Sequence, residues 1–153
     1  RSGDEIWVTG ALGGAIESGR HLKPEPRLRE GRLLNEVHHA RAMMDLSDGL
    51  AVDLPRLLEA SSVGAEIFLE DLPLDPSLKS DLQGWEKAAG DGEDYELLAV
   101  LGPRRGLGAG KDLVLQSCGL TKIGRIVEGH GVNWIGGGKA VDFNPNGWES
   151  CWE

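Results

Sequence analysis

Two short stretches carry residues able to do chemistry. "MMDLSDGLAVDL" (43–54) places Asp45, Ser47 and Asp48 within four residues at the end of an apolar run, and a leucine-spaced pattern resumes after Gly49. "GDGEDYELL" (90–98) places Glu93, Asp94 and Glu96 just after two glycines. Hard carboxylate and hydroxyl oxygens are the ligands that magnesium prefers, and magnesium in turn holds phosphates.

If 40–46 is a strand and 50–60 a helix, the first cluster sits in a strand-to-helix turn. Strand alternation then puts Asp45 and Ser47 on one face. Asp48 comes just before the helix's first free N–H groups, which attract phosphate. A competing reading makes Ser47 or Asp48 a simple helix cap. Capping accounts for one residue of the three and leaves Asp45 unexplained, so residue types alone leave both readings open. In a strand over 94–101, Asp94 and Glu96 share one face, and Tyr95 and Leu97 the other. A tight turn carrying Glu93 and Asp94 can meet the first cluster across a sheet. Taken by itself, it also fits a solvated acidic turn before an edge strand.

The elements that must hold these clusters are legible in outline. "EIWVTG" (5–10) reads as a strand, followed by a small-residue helix ending at Gly19. "KPEPRLREGRLLNEV" reads as a helix with prolines at its start and an apolar stripe of Leu28, Leu33, Leu34 and Val37. Leu50, Leu54, Leu57 and Leu58 mark one face of the next helix. Pro55 lies inside that pattern and should kink it or shift its start downstream. Strands follow over 64–74 and 94–101, with a loop and short helix between them at 75–88. "KIGRIVEG" and "VNWIGGGKAVDF" read as strands joined by turns. Gly136, Gly137 and Gly138 suit a hairpin; no helix follows them, as a phosphate loop requires. One mixed α+β domain over 1–153 is the economical reading.

Composition bounds the function. With 40% hydrophobic and 27% charged residues the chain reads as soluble and globular. A net charge of −9 argues against bulk nucleic acid or an anionic membrane as partner, because both need a basic face. No apolar run approaches the length of a membrane span. Cys118 and Cys151 stand apart from any Cys/His cluster, which fits free thiols in a reducing cytoplasm. The opening "RSGDEIWVTG" enters a strand without a methionine, as expected of a segment cut from a longer protein. His38 and His39 end a helix, where helix-end charge or simple exposure explains them. Trp148 and Trp152 lie in a polar tail, as staples to the body or as a platform for a flat or cationic ligand.

Together these motifs resemble thiamine-monophosphate kinases. "MMDLSDGLAVDL" resembles that family's Asp-x-Ser-Asp-Gly-Leu motif, and "GDGEDYELL" its Gly-Gly-Glu-Asp-Tyr-Glu-Leu motif. "GDEIWVTGALGGA", "PEPRL" and "KIGRI" look like further landmarks in family order. The resemblance spans the whole chain but only the C-terminal half of such an enzyme. Related enzymes, aminoimidazole ribonucleotide synthetase and selenophosphate synthetase, typically carry Thr-Gly where this chain has Ser47-Asp48.

The resemblance implies the C-terminal domain of the aminoimidazole ribonucleotide synthetase-like fold, a mixed sheet flanked by helices. The N-terminal half would supply a homodimer interface and further acids. The implied reaction is transfer of the ATP γ-phosphoryl group to thiamine monophosphate, giving thiamine diphosphate. Residue by residue, the resemblance makes Asp45 and Asp48 Mg²⁺ ligands, Ser47 a nucleotide contact, and Glu93 a substrate contact with Glu96 as fallback. It makes Trp148 the substrate-stacking aromatic. The chain departs from the family at Asp91, which splits the glycine pair, and in the tail, where only Gly147-Trp148 matches. The alternatives are a sister ATP-dependent enzyme acting on another small substrate, or a domain that holds nucleotide or metal without turnover.

The chemistry is consistent with that reaction. A phosphate monoester, with a second pKa of about 6, is largely ionised at neutral pH and needs no general base. The difficulty is bringing two polyanions together, which Mg²⁺ held by acids relieves. The fixed positive charge of the thiazolium suits a tryptophan face.

Overall fold

The computed structural model describes residues 1–79, 83–103, 115–116 and 118–143. Its strands are β1 (Glu5–Thr9), β2 (Ala42–Leu46), β3 (Gly64–Phe68), β4 (Glu96–Leu101), β5 (Leu120–Val127), β6 (Gly131–Gly136) and β7 (Lys139–Val141). Its α-helices are α1 (Ala15–Ser18), α2 (Leu28–Arg32), α3 (Leu50–Ser61) and α4 (Gly84–Gly90). The strands form one sheet in the order β2-β4-β1-β5-β3-β6-β7. Every pairing is antiparallel except β3 with β6, so the sheet is mixed, as expected.

Period-two alternation divides the sheet's side chains between two cores. Ile6, Val8, Leu98 and Val100 face one way and pack with Leu50, Leu54 and Leu58 of α3 and Ala88 and Ala89 of α4. Trp7, Ala99 and Leu101 face the other way and pack with Leu34 and Leu115. Apart from Glu5, Thr9 and Glu96, β1 and β4 are apolar on both faces, and each face is covered.

Several boundaries differ from the sequence expectation, each for a physical reason. The helix expected from the Leu28, Leu33, Leu34, Val37 stripe widens after Arg32 into a π-turn over Leu33–Val37, closed by the His38 N–H donating to the Leu33 carbonyl at 3.1 Å. Of the stripe, Leu34 is fully buried, whereas Leu28 and Val37 are 72% and 61% exposed. Helix α3 begins at Leu50 and runs unbroken through Pro55, so the proline does not shift its start. The strand expected over 64–74 stops at Phe68, where a 3₁₀ turn over Leu69–Asp71 takes over. At the far end of the sheet, Gly136 pairs with Lys139, and Gly137 and Gly138 form the connection with φ of 56° and 74°. Two central residues at positive φ are what a two-residue type I′ hairpin requires, and glycine meets that need without strain.

The turn between β2 and α3 is tight for a similar reason. Gly49 has φ of 98°, and a Cβ there would lie 2.7 Å from the Asp91 carbonyl oxygen and 2.9 Å from that of Gly90. This contact brings the two chemistry-bearing stretches backbone to backbone. Gly49→Ala combines a disfavoured φ with a backbone clash, and we expect it to cost about 1–3 kcal/mol of stability. A chemical denaturation midpoint unchanged from the parent would show that the two turns are not in fixed contact.

Candidate functional site at the open edge of the sheet

Strand β2 is the edge strand, paired on one side only, with Asp45 opposite Leu97 and Leu46 opposite Glu96. The edge position leaves Asp45 exposed. Strand geometry ends at Leu46, so the expected sharing of one strand face by Asp45 and Ser47 does not extend to Ser47, which already lies in the turn.

The capping reading of that turn is not what the structure adopts. The N-cap of α3 is Gly49, with no side-chain cap. The turn is fastened by Asp53 instead, a carboxylate 1% exposed on the first turns of α3. Its Oδ2 accepts the backbone N–H of Ser47 at 3.0 Å and that of Asp48 at 2.9 Å. The side chains of Ser47 and Asp48 are thereby released from capping. Asp53 was missed in the sequence reading. Its signal was an acid three residues after Leu50, on the apolar face of an otherwise leucine-lined helix.

The second motif docks on the first by main-chain bonds. The N–H of Glu93 donates to the Ser47 carbonyl at 2.7 Å, and that of Tyr95 to the Leu46 carbonyl at 2.8 Å. This geometry needs left-handed backbone at two ordinary residues, Glu93 (φ 68°) and Tyr95 (φ 53°). The strand expected from 94 therefore begins only at Glu96, and Asp94 belongs to a strained turn. Tyr95 Oη donates to Glu93 Oε2 at 2.8 Å. That bond holds the phenol above its usual pKa, with burial and the fields of Glu93, Asp45 and Asp48 adding to it. Of these acids Glu93 touches the tyrosine directly, and Asp45 and Asp48 act on it through their charge.

The remaining acids of the second motif point inward. Asp94, 6% exposed, accepts the Gly13 N–H at 2.8 Å and pairs with Arg20 Nη2 at 3.1 Å. Glu96, 2% exposed, is gripped bidentately by Arg27 at 2.7 and 2.6 Å and accepts the Thr9 hydroxyl at 2.6 Å. Removing one partner of a buried pair of this kind typically costs about 3–5 kcal/mol. Glu96 is a structural residue, and of the two glutamates only Glu93 remains open at this site. Beside the acids runs an apolar groove of about 560 Å³, lined among others by Pro26, Leu28, Met43, Asp45 and Tyr95. Trp148 lies outside the described residues.

For a divalent cation the donor set fits in part. Asp45 and Asp48 offer hard, solvent-facing oxygens of the kind Mg²⁺ takes alongside water. Among the described residues no group of three or more His, Cys, Asp or Glu is placed to hold a metal. Among the same residues no helix is long and apolar enough to cross a membrane.

Asp94 gives the turn a pH dependence. Burial, opposed by the Gly13 N–H and Arg20, pushes its carboxyl from 3.8 up to about 7. A raised carboxyl pKa means that the folded state binds the proton more tightly, so the stabilisation is present at low pH and is lost as pH rises from about 4 to about 7. Asp94→Asn keeps an acceptor for Gly13 but cannot ionise. We expect denaturation midpoints to fall less between pH 5 and pH 8 in this variant than in the parent. Identical slopes would show that Asp94 does not titrate in this range.

Comparison with known proteins places this geometry. Residues 1–135 match the family described as AIR synthase related protein, C-terminal domain. A thiamine-monophosphate kinase from Rhodopirellula baltica is 44% identical over 106 residues, covering 66% of this chain and 33% of that protein. The crystal structure of thiamine-monophosphate kinase from Stenotrophomonas maltophilia superposes with a TM-score of 0.73 at 29% identity, over 92% of this chain and 52% of that one. AaThiL complexed with AMPPCP and TMP superposes with a TM-score of 0.65 at 32% identity, over 98% of this chain and 52% of that one. The chain spans between a third and about half the length of these relatives. With its mixed seven-stranded sheet and the family match over residues 1–135, the chain belongs to the AIR synthase related protein C-terminal domain family.

Proposed function

We propose that this chain is the C-terminal half of a thiamine-monophosphate kinase, which transfers the γ-phosphoryl group of ATP to thiamine monophosphate. The observation that carries the proposal is the docking of the Glu93 turn on the Asp45–Asp48 segment through the Glu93–Ser47 and Tyr95–Leu46 backbone bonds. The kinases it resembles, and the AaThiL complex with AMPPCP and TMP, support the same choice of substrates.

In this reading Asp45 and Asp48 are the residues that hold Mg²⁺. The ion supplies charge neutralisation between the two phosphate groups and aligns donor with acceptor. Ser47 contacts the nucleotide, Glu93 contacts the substrate, and Trp148 stacks on the thiamine ring system. The acceptor phosphate arrives ionised, so no residue of the chain is assigned as general base. The role of this chain is positional: buried Asp53 fixes the backbone that carries Ser47 and Asp48, and the Asp94 and Glu96 anchors fix the turn that carries Glu93. The remaining cation ligands come from the other half of the enzyme, which is also the proposed homodimer partner surface. The chain alone is then inactive.

The test is thiamine diphosphate formation by the intact enzyme containing this chain, given ATP, Mg²⁺ and thiamine monophosphate. Asp45→Asn and Asp48→Asn should each lower turnover by at least about 100-fold, because each removes a charge contact that matters most in the transition state. Near-normal turnover at saturating Mg²⁺ would remove these residues from the site. A folded enzyme giving no product would instead favour a sister ATP-dependent enzyme with a different small substrate.

A further inference from the structure

Asp48 is not free in this structure. Its carboxylate is paired with Arg56 Nη1, and the same nitrogen donates to Asp53 Oδ1 at 2.9 Å. Arg56 lies one turn beyond Asp53 on α3, at the i, i+3 spacing that places side chains together. One guanidinium nitrogen therefore bridges two carboxylates of different kinds. Asp53 is buried and committed through Oδ2 to the N–H groups of Ser47 and Asp48. Asp48 is exposed, with 41% of its side chain accessible, and Arg56 is 58% exposed.

We infer that Arg56 is the counter-ion that Asp48 exchanges for a divalent cation, an inference that rests on the reading of Asp48 as a cation ligand. The geometry makes the exchange inexpensive. The Asp48–Arg56 pair faces water, where ion pairs are weak and screened. The Asp53–Arg56 bond does not involve Asp48, so the arginine can leave Asp48 and keep its anchor. The turn need not move, because its fastening runs through Oδ2 of Asp53, the oxygen that Arg56 does not touch. In the cation-free state Arg56 offsets the charge of two adjacent acids. Once a cation takes Asp48, Arg56 stays beside it on Asp53 and holds a positive charge next to the site. Arg56 is thus a positioning residue that sets how readily Asp48 accepts a cation.

The experiment reads cation binding directly and needs no turnover. Mn²⁺, as a magnesium surrogate, is titrated into the intact enzyme containing this chain and followed by the loss of the free-ion electron paramagnetic resonance signal. Arg56→Gln should bind Mn²⁺ about 2- to 5-fold more tightly than the parent at low salt, the range expected for release of an exposed ion pair. The difference should shrink at about 1 M salt, where the screening length is about 3 Å. Arg56→Lys, which keeps the charge but loses the planar fork, should fall between the two. Asp48→Asn should abolish the competition. If Asp48→Asn weakens Mn²⁺ binding while Arg56→Gln binds no more tightly than the parent, the exchange is wrong and the ligand assignment stands. If Asp48→Asn leaves Mn²⁺ binding unchanged, the assignment of Asp48 falls, and the inference with it.

Discussion

The candidate site depends on a single buried carboxylate. Asp53 takes the two N–H groups that a strand-to-helix turn would otherwise leave without partners. A side-chain cap from Ser47 or Asp48 would have met the same need, but it would have used up an oxygen the chemistry requires. Reaching back from inside the helix separates the two tasks. Asp53 satisfies the backbone, and the residues that precede it keep their oxygens for ligands. The cost is a desolvated carboxylate in the core, offset by two N–H donors and the Arg56 guanidinium.

The same division of labour runs through the acids of the whole chain. Asp4, Asp53, Asp94 and Glu96 are all 6% exposed or less. Each has backbone donors, guanidinium groups or both as partners: Arg41 for Asp4, Arg56 for Asp53, Arg20 for Asp94 and Arg27 for Glu96. Asp45, Asp48 and Glu93 sit outside this set, at the open edge. Arginine suits the buried pairs because its charge cannot be lost by burial, and at Glu96 the fork of Arg27 satisfies the carboxylate with two parallel bonds. These four buried acids are matched by four arginines, so the unbalanced charge of −9 lies outside them.

Most of the architecture was legible because it rests on periodicity. Strand β1, the leucine face of α3, strand β4 and the Gly137-Gly138 hairpin all follow from local pattern and turn chemistry. The two acidic motifs were legible as motifs, but how they meet was not; that rests on the backbone bonds from Glu93 and Tyr95 to Ser47 and Leu46. What sequence could not supply was long-range partnership. Asp94 and Glu96 look alike in "GEDYE" and like Glu93 beside them. Only contacts with Gly13, Arg20, Arg27 and Thr9, about 70 to 90 residues away in sequence, turn the first two inward. The strand expected from residue 94 begins only at Glu96, after left-handed φ at Glu93 and Tyr95 that side-chain type does not announce, although Asp94 and Glu96 still meet on one side at Arg20. The apolar stripe expected over 28–37 is not one buried face: Leu34 is buried, Leu28 and Val37 are exposed, and the helix changes to a π-turn at Leu33.

Those two failures lie on either side of one groove, and together they suggest why it exists. Left-handed backbone at Glu93 and Tyr95 lifts the Tyr95 ring and the Glu93 carboxylate toward the edge strand rather than along β4. The widened helix leaves Leu28 on the opposite wall. A regular strand and a regular helix would have closed this space with their own side chains. Departures from regular geometry persist only where surrounding contacts over-determine them. Here those contacts are the Arg20–Asp94 and Arg27–Glu96 pairs, which join the segment leading into α2 to the segment leading into β4. The buried ion pairs are best understood as struts that tie these two elements together, with Asp45 in the wall of the groove between them.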